Sequence, residues 1–177
     1  MITIIFEAHA TSKDNEAGLA SGHYDVELSE LGEKQAKELG ARYTNADLAA
    51  VFCSDLQRSS KTAAIAFRGR EIKIIQDRRL RECNYGDLTR HPSLEVEELK
   101  SEYIESTFPG GKSYAQTTKN MTDFLRELQN NFQGKKVLLI GHRATQYALE
   151  NLVHGKPLSK AVTDHWAWQP GWEYVLE

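Results

Sequence analysis

The sequence predicts an α/β fold: a three-layer αβα sandwich with a mostly parallel central sheet and helices on both faces. Three observations lead there. Short apolar runs rich in β-branched residues alternate with longer segments of helical periodicity, the pattern of strand–helix–strand units. The runs "ITIIF", "AAVFC" and "KVLLI" are almost continuously apolar, as strands covered on both sides must be. Histidine, arginine and carboxylate residues gather just past those runs, and ligands of open α/β sheets bind beyond the carboxyl ends of the strands.

Taken in order, the first strand covers about Thr3 to Phe6 and is followed by a loop rich in Gly, Ser, Asp and Asn. "LSELGEKQAKELGARY" reads as a helix with Ser29 as N-cap and Leu31, Ala36, Leu39 and Tyr43 along one face. "LAAVFCSD" is a buried strand, "LQRSSKTAAIAF" a helix with small apolar residues at helical spacing, and "IKIIQ" a short strand. "RRLRECNYGDL" is extended and ends in a turn. Residues from about Ser93 to Tyr103 form a Glu-rich surface helix, and "FPGGKS" breaks the chain. "SYAQTTKNMTDFLRELQNNF" is a long amphipathic helix. "KKVLLIGH" is the clearest strand, "ATQYALENLVHG" is a helix closed by Gly155, and "GWEYVLE" alternates as a final edge strand.

The totals suit this architecture. A chain of 177 residues makes one domain, 1–177, and 40% hydrophobic with 27% charged residues is enough to bury a core. A net charge of −3 supplies no attraction to nucleic acid or to an anionic membrane. No apolar stretch nears the ~20 residues of a membrane span. The N-terminal run is too short for a signal peptide and lacks a basic flank, so the expected location is the cytoplasm. Cys53 and Cys83 are too few and too far apart for a disulfide framework or a zinc site, and read as small apolar fillers.

The strand ends carry His9 and Asn15 after the first strand, Arg58 after the second, Arg81 and Glu82 after "RRL", and His142 and Arg143 after "KVLLI". Arginine forks and helix N-termini recognise phosphate. An imidazole with an unperturbed pKa of ~6.5 is largely neutral at pH 7 and can attack phosphorus, while a nearby carboxyl protonates the leaving alcohol. The competing structural reading makes each histidine a hydrogen-bonded core residue, Arg58 a surface charge and Arg81–Glu82 a simple ion pair. His23, His91, His154 and His165 stay with that reading, since no two histidines have the i, i+4 spacing of a helical metal site. His9 and His142 stand apart because each ends a buried run just before the chain turns into polar or helical sequence.

At these positions the chain resembles the histidine phosphatase superfamily, also called phosphoglycerate mutase-like. The family opens Arg-His-Gly-(Glu/Gln)-Thr-x-x-Asn, against "AHATSKDN" here; "GHYDVELSELGEKQA", "SDLQRSSKTA", "LRECNYG" and "VLLIGH" match its later motifs in order. The resemblance implies that His9 is the nucleophile and forms a phosphohistidine. It makes Arg58 and His142 holders of the phosphoryl oxygens, Glu82 the proton donor and base, and Asn15 a supporting phosphate or substrate contact. It implies no metal or organic cofactor and a small phosphorylated substrate.

The opening motif departs from the pattern: Ala8 stands for the arginine, Ala10 for the glycine, and Thr11 and Ser12 for the next two positions. Losing one preorganised donor costs roughly 3 kcal/mol of transition-state stabilisation. Arg143, where the family is usually small or neutral, is the candidate replacement phosphate ligand; the competing placement points it along its own helix to a surface carboxylate. A phosphomonoesterase is the favoured reading. The alternatives are an impaired relative that binds phosphorylated ligands or a protein partner, and a mutase, which such a short chain disfavours. The segment between Asp87 and Ser113 should lie over the rim of the site. The aromatic tail "HWAWQPGW" reads as sheet-edge packing, or as the contact of a homodimer.

Overall fold

In the computed structural model, which describes residues 1–177, the strands are β1 (Ile2–Ala8), β2 (Ala50–Cys53), β3 (Ile74–Gln76), β4 (Lys136–Gly141) and β5 (Trp172–Leu176). They form one sheet in the order β3-β2-β4-β1-β5. All neighbours are parallel except β5, which runs antiparallel to β1 at the edge. Val137 to Ile140 are wholly buried, so both faces of β4 are covered, which is why its sequence is a run and not an alternation. Each such side chain contributes about 1.5–3 kcal/mol by leaving water.

The helices are α1 (Lys13–Glu16), α2 (Glu30–Arg42), α3 (Gln57–Ala66), α4 (Ser93–Leu99), α5 (Tyr114–Asn131), α6 (Arg143–Leu152) and α7 (Leu158–Thr163). On one face of the sheet, Met121, Phe124, Leu125 and Leu128 of α5 and Ala148 and Leu149 of α6 pack against Ile4, Phe6, Phe52 and Leu139. On the other, Leu39 of α2 and Ala63 and Ala66 of α3 pack against Val51, Cys53, Leu138 and Ile140. That is the three-layer α/β arrangement. Cys53 and Cys83 are free and buried. No helix is long and apolar enough to cross a membrane.

Several elements differ from the sequence reading, each for a physical reason. β1 runs on through Glu7 and Ala8 because these pair with Ile140 and Gly141 of β4, which places His9 directly at the strand end. Ser29 caps α2 through the Gly32 amide at 3.1 Å, as expected, but Leu31 is 49% exposed and does not join Ala36, Leu39 and Tyr43 on the inward face. Gly32 takes that place: a Cβ there would come within 2.0 Å of the Thr11 carbonyl oxygen, so helix and loop touch backbone to backbone. The stretch expected to be extended contains 3-10 turns at Arg78–Leu80 and Gly86–Leu88; in the first, Asp77 accepts the Arg79 amide at 2.8 Å. The Glu-rich helix ends at Leu99 and continues as a 3-10 turn through Tyr103. α1 and α7 are too short to show a period; α1 rests on a capping box between Ser12 and Asn15.

A third apolar cluster joins Cys83, Tyr85, Val96 and Phe108 to Tyr114, Tyr147 and Val162. It anchors the segment after Asp87 over the carboxyl end of the sheet, where Ser93, Val96 and Glu97 line the main cavity. The rim placement expected of this segment is what the structure has.

Candidate active site

β1 and β4 are neighbours, so the residues that follow them, His9 and His142, meet side by side with ring centroids 5.0 Å apart. The His9 amide donates to the Gly141 carbonyl at 3.0 Å, which ties the two strand ends together. His9 Nδ1 lies 2.7 Å from the Ala10 carbonyl oxygen. A carbonyl only accepts, so Nδ1 carries the proton and Nε2 keeps its lone pair. Burial first, then the Arg58 charge, depress the His9 pKa to about 3. His142 is pushed well below the usual histidine range by burial and by the same arginine. Its Nε2 lies 2.7 Å from the Ser54 hydroxyl, while Nδ1 is buried with no partner.

Arg58 sits in the first turn of α3, where the helix dipole disfavours a cation. Carbonyl oxygens offset this: the guanidinium donates to Gly22 at 2.7 Å and Tyr24 at 3.1 Å, and it is 2% exposed. The loop 22–24 thereby fixes a buried cation beside both imidazoles.

Glu82 sits at the start of α6. Its Oε1 accepts the amides of Cys83 at 2.8 Å and Ala144 at 3.2 Å, and its Oε2 that of Arg143 at 3.2 Å. Two of these are amides that the first turn of a helix leaves unpaired. Burial raises the Glu82 pKa above the ordinary carboxylate range, against the pull of those amides and of Arg58.

His9, Asn15, Arg58, Glu82, His142 and Arg143 all line one cavity of about 680 Å³. Asn15 Oδ1 accepts from the Ser12 amide and hydroxyl, both at 2.9 Å, which orients its amide group. Of the two placements expected of Arg143, the structure has the one that turns it to a surface carboxylate, although that carboxylate belongs to another helix. Its guanidinium stacks 4.2 Å over the Trp166 ring and lies 3.9 Å from Glu97 of α4, and its charge acts on Glu82. The arginine that acts on both histidines is Arg58. Arg81 does not join the site or pair with Glu82; it forms a two-pronged ion pair with Asp55 at 2.7 and 2.6 Å.

The sequence reading passed over several residues here. His23 approaches the Glu82 carbonyl through Nε2 at 2.8 Å and is close enough to lower the His142 pKa; nothing in its local pattern marks it. The aromatic tail is only partly sheet-edge packing. Trp172 does pack against Phe6, at 5.6 Å, but Trp166 and Trp168 line the cavity, and Trp166 is held by Gln146 through a 2.6 Å hydrogen bond. No three His, Cys, Asp or Glu side chains come together in a metal-holding group.

Adjacent parallel strands that deliver paired imidazoles beside a buried arginine and a buried glutamate define the two-histidine, phosphoglycerate mutase-like class of α/β proteins. The chain belongs to the histidine phosphatase superfamily (branch 1), whose family profile matches residues 4–167. It is 28% identical over 171 residues to phosphoserine phosphatase 1 of Hydrogenobacter thermophilus, covering 90% of this chain and 80% of that one. It is also 28% identical over 165 residues to the probable phosphoglycerate mutase GpmB of Yersinia enterocolitica, covering 89% and 77%. The solved structure of Bacillus stearothermophilus YhfR superposes with a TM-score of 0.82 over 96% of this chain and 88% of that one, at 24% identity.

Proposed function

We propose that the protein is a phosphomonoester hydrolase that works through a phosphohistidine on His9. The observation that carries this reading is the gathering of half-buried His9 with buried His142, Arg58 and Glu82 on one cavity, with a free lone pair on His9 Nε2 and an unpartnered His142 Nδ1. His9 Nε2 attacks phosphorus; the N–P bond forms as the P–O bond to the alcohol breaks. Glu82, whose pKa burial raises, gives its proton to the departing oxygen. Water then attacks the phosphohistidine, its proton goes to the Glu82 carboxylate, and the N–P bond breaks to release inorganic phosphate and restore neutral His9.

The remaining groups stabilise charge on the phosphoryl oxygens, where most of the catalysis of such a transfer lies. Arg58 is the buried cation. Ser54 has no other acceptor for its hydroxyl proton, so it donates to His142 Nε2, which leaves a proton on Nδ1 for a phosphoryl oxygen. Asn15, oriented by Ser12, offers Nδ2. Arg143 supplies a second cation at the mouth, swinging from Trp166 toward the phosphate in place of an arginine at position 8.

The test is turnover of an aryl phosphate without added metal from pH 5 to 8, with His9→Ala and Arg143→Ala as variants. Loss of turnover in His9→Ala, with acid-quenched wild-type enzyme carrying an acid-labile phosphoryl group, is the expected result. Equal rates in wild type and His9→Ala overturn the mechanism. An unchanged rate in Arg143→Ala removes Arg143 from it and leaves the rest standing.

A further inference from the structure

The groups just assigned occupy only part of their cavity. Its volume of about 680 Å³ is that of pockets which enclose whole organic ligands, far more than one phosphoryl group needs. Ala8 and Ala10, on either side of His9, both line its wall. The cavity also runs along one face of α2, where Gln35, Glu38 and Arg42 follow one another at helical spacing, and takes in Glu7 and Trp168.

Glu7 is the unusual member of this lobe. It is a carboxylate within a central region of the sheet, with no exposed surface. Its Oε1 accepts from the Tyr43 hydroxyl at 2.7 Å and from Arg42 at 3.0 Å. Oε2 is buried with no partner. A structural tie between β1 and α2 accounts for Oε1 but leaves Oε2 unpaired, an arrangement that native interiors seldom tolerate. Trp168, 56% exposed, lies across the same lobe with the Arg42 guanidinium 5.8 Å from its ring.

We propose that this lobe binds the alcohol half of the substrate and selects an alcohol rich in hydroxyl groups, a polyol or sugar phosphate. The proposal rests on the phosphomonoesterase reading above. Hydroxyls donate to Glu7 Oε2 and Glu38. They accept from Arg42 and from Gln35, whose own oxygen is already engaged by the Thr11 amide at 2.9 Å. A C–H face of the same ligand packs on Trp168. A plain alkyl alcohol leaves these buried acceptors without donors and is rejected for that reason.

The experiment compares kcat/KM for ribitol 5-phosphate and glucose 6-phosphate with that for n-butyl phosphate in wild type, Glu7→Gln and Trp168→Ala. Wild type is expected to favour at least one hydroxylated ester by about tenfold or more, the worth of a hydrogen bond to a charged group. That ratio should fall toward one in both variants. Trp168 is exposed, so its variant reports on the lobe even if Glu7→Gln fails to fold. Turnover with a ratio near one in wild type, or a ratio unmoved by either variant that folds, overturns the subsite and leaves the phosphatase reading intact. If none of these esters is turned over, the aryl phosphate assay decides the phosphatase reading separately, and calorimetric titration of wild type decides the subsite. Tighter binding of ribitol 5-phosphate than of butyl phosphate, lost in Trp168→Ala, supports it; equal or absent binding overturns it.

Discussion

Replacing Glu82 with glutamine separates its chemistry from its place in the fold. The carboxylate accepts three backbone amides within 3.2 Å, Cys83 and Ala144 on Oε1 and Arg143 on Oε2. Glutamine keeps the first two if its oxygen takes the Oε1 position, and then turns an NH2 toward the Arg143 amide. One buried donor loses its acceptor, so the variant should lose about 1–3 kcal/mol of unfolding free energy and still fold. Its catalytic loss should be larger, about 10²- to 10⁴-fold, the worth of a positioned acid–base group. The leaving group distinguishes the two effects. An alkyl phosphate needs a proton on its departing oxygen and should show the full loss. A dinitrophenyl phosphate needs none, so its first step survives while hydrolysis of the phosphohistidine, which needs Glu82 as base, stays slow. Rapid-mixing absorbance should therefore show a burst of dinitrophenolate equal to the enzyme concentration, followed by slow turnover. The same fractional loss for both esters with no burst would refute the proton-transfer role and leave Glu82 as a clamp on the α6 amides.

Two further outcomes follow from the same contacts. His9 and His142 are depressed in the folded state, so the unfolded chain binds more protons as pH falls below the ordinary histidine value of 6.5. Their contribution to stability is complete above pH 6.5 and is lost on acidification toward the folded pKa, which for His9 is about 3. Glu82 has the opposite sign, its contribution being complete below 4.5 and lost as pH rises through its raised pKa. Urea midpoints at pH 7.5 and 5 should therefore drop further in wild type than in His9→Ala; equal drops would contradict a His9 imidazole held neutral by its surroundings. Gly32→Ala tests the α2 contact: helix propensity alone predicts a gain of up to about 1 kcal/mol, whereas a Cβ 2.0 Å from the Thr11 carbonyl predicts a loss of about 1–3 kcal/mol. A stabilised variant would mean that Thr11 and α2 are not in contact.

Much of this molecule can be read in order along the chain. Strand β4 announces itself because a strand covered on both faces must be apolar at every position, and α5 because its inward residues recur at helical spacing. His9, Arg58, Glu82 and His142 were legible for a related reason. In a parallel sheet every strand ends on the same side, so the residue type that follows each strand already says what gathers there. Ser29 and the Ser12–Asn15 pair show local chemistry that the neighbouring residues decide among themselves.

What tertiary structure decided lies between segments far apart in sequence. Arg81 chose Asp55 over its neighbour Glu82, because Glu82 was already held by the start of α6. Arg143 came to rest on Trp166 from the chain's tail and beside Glu97 of α4. Glu7 reads in sequence as one polar interruption of an apolar strand. Only the docking of α2 makes it a buried carboxylate with one oxygen satisfied by Tyr43 and Arg42 and the other unpaired. Sequence periodicity carries information about which face a residue takes on its own element. It carries none about which distant side chain will reach that face first, and in this protein that competition shaped the pocket.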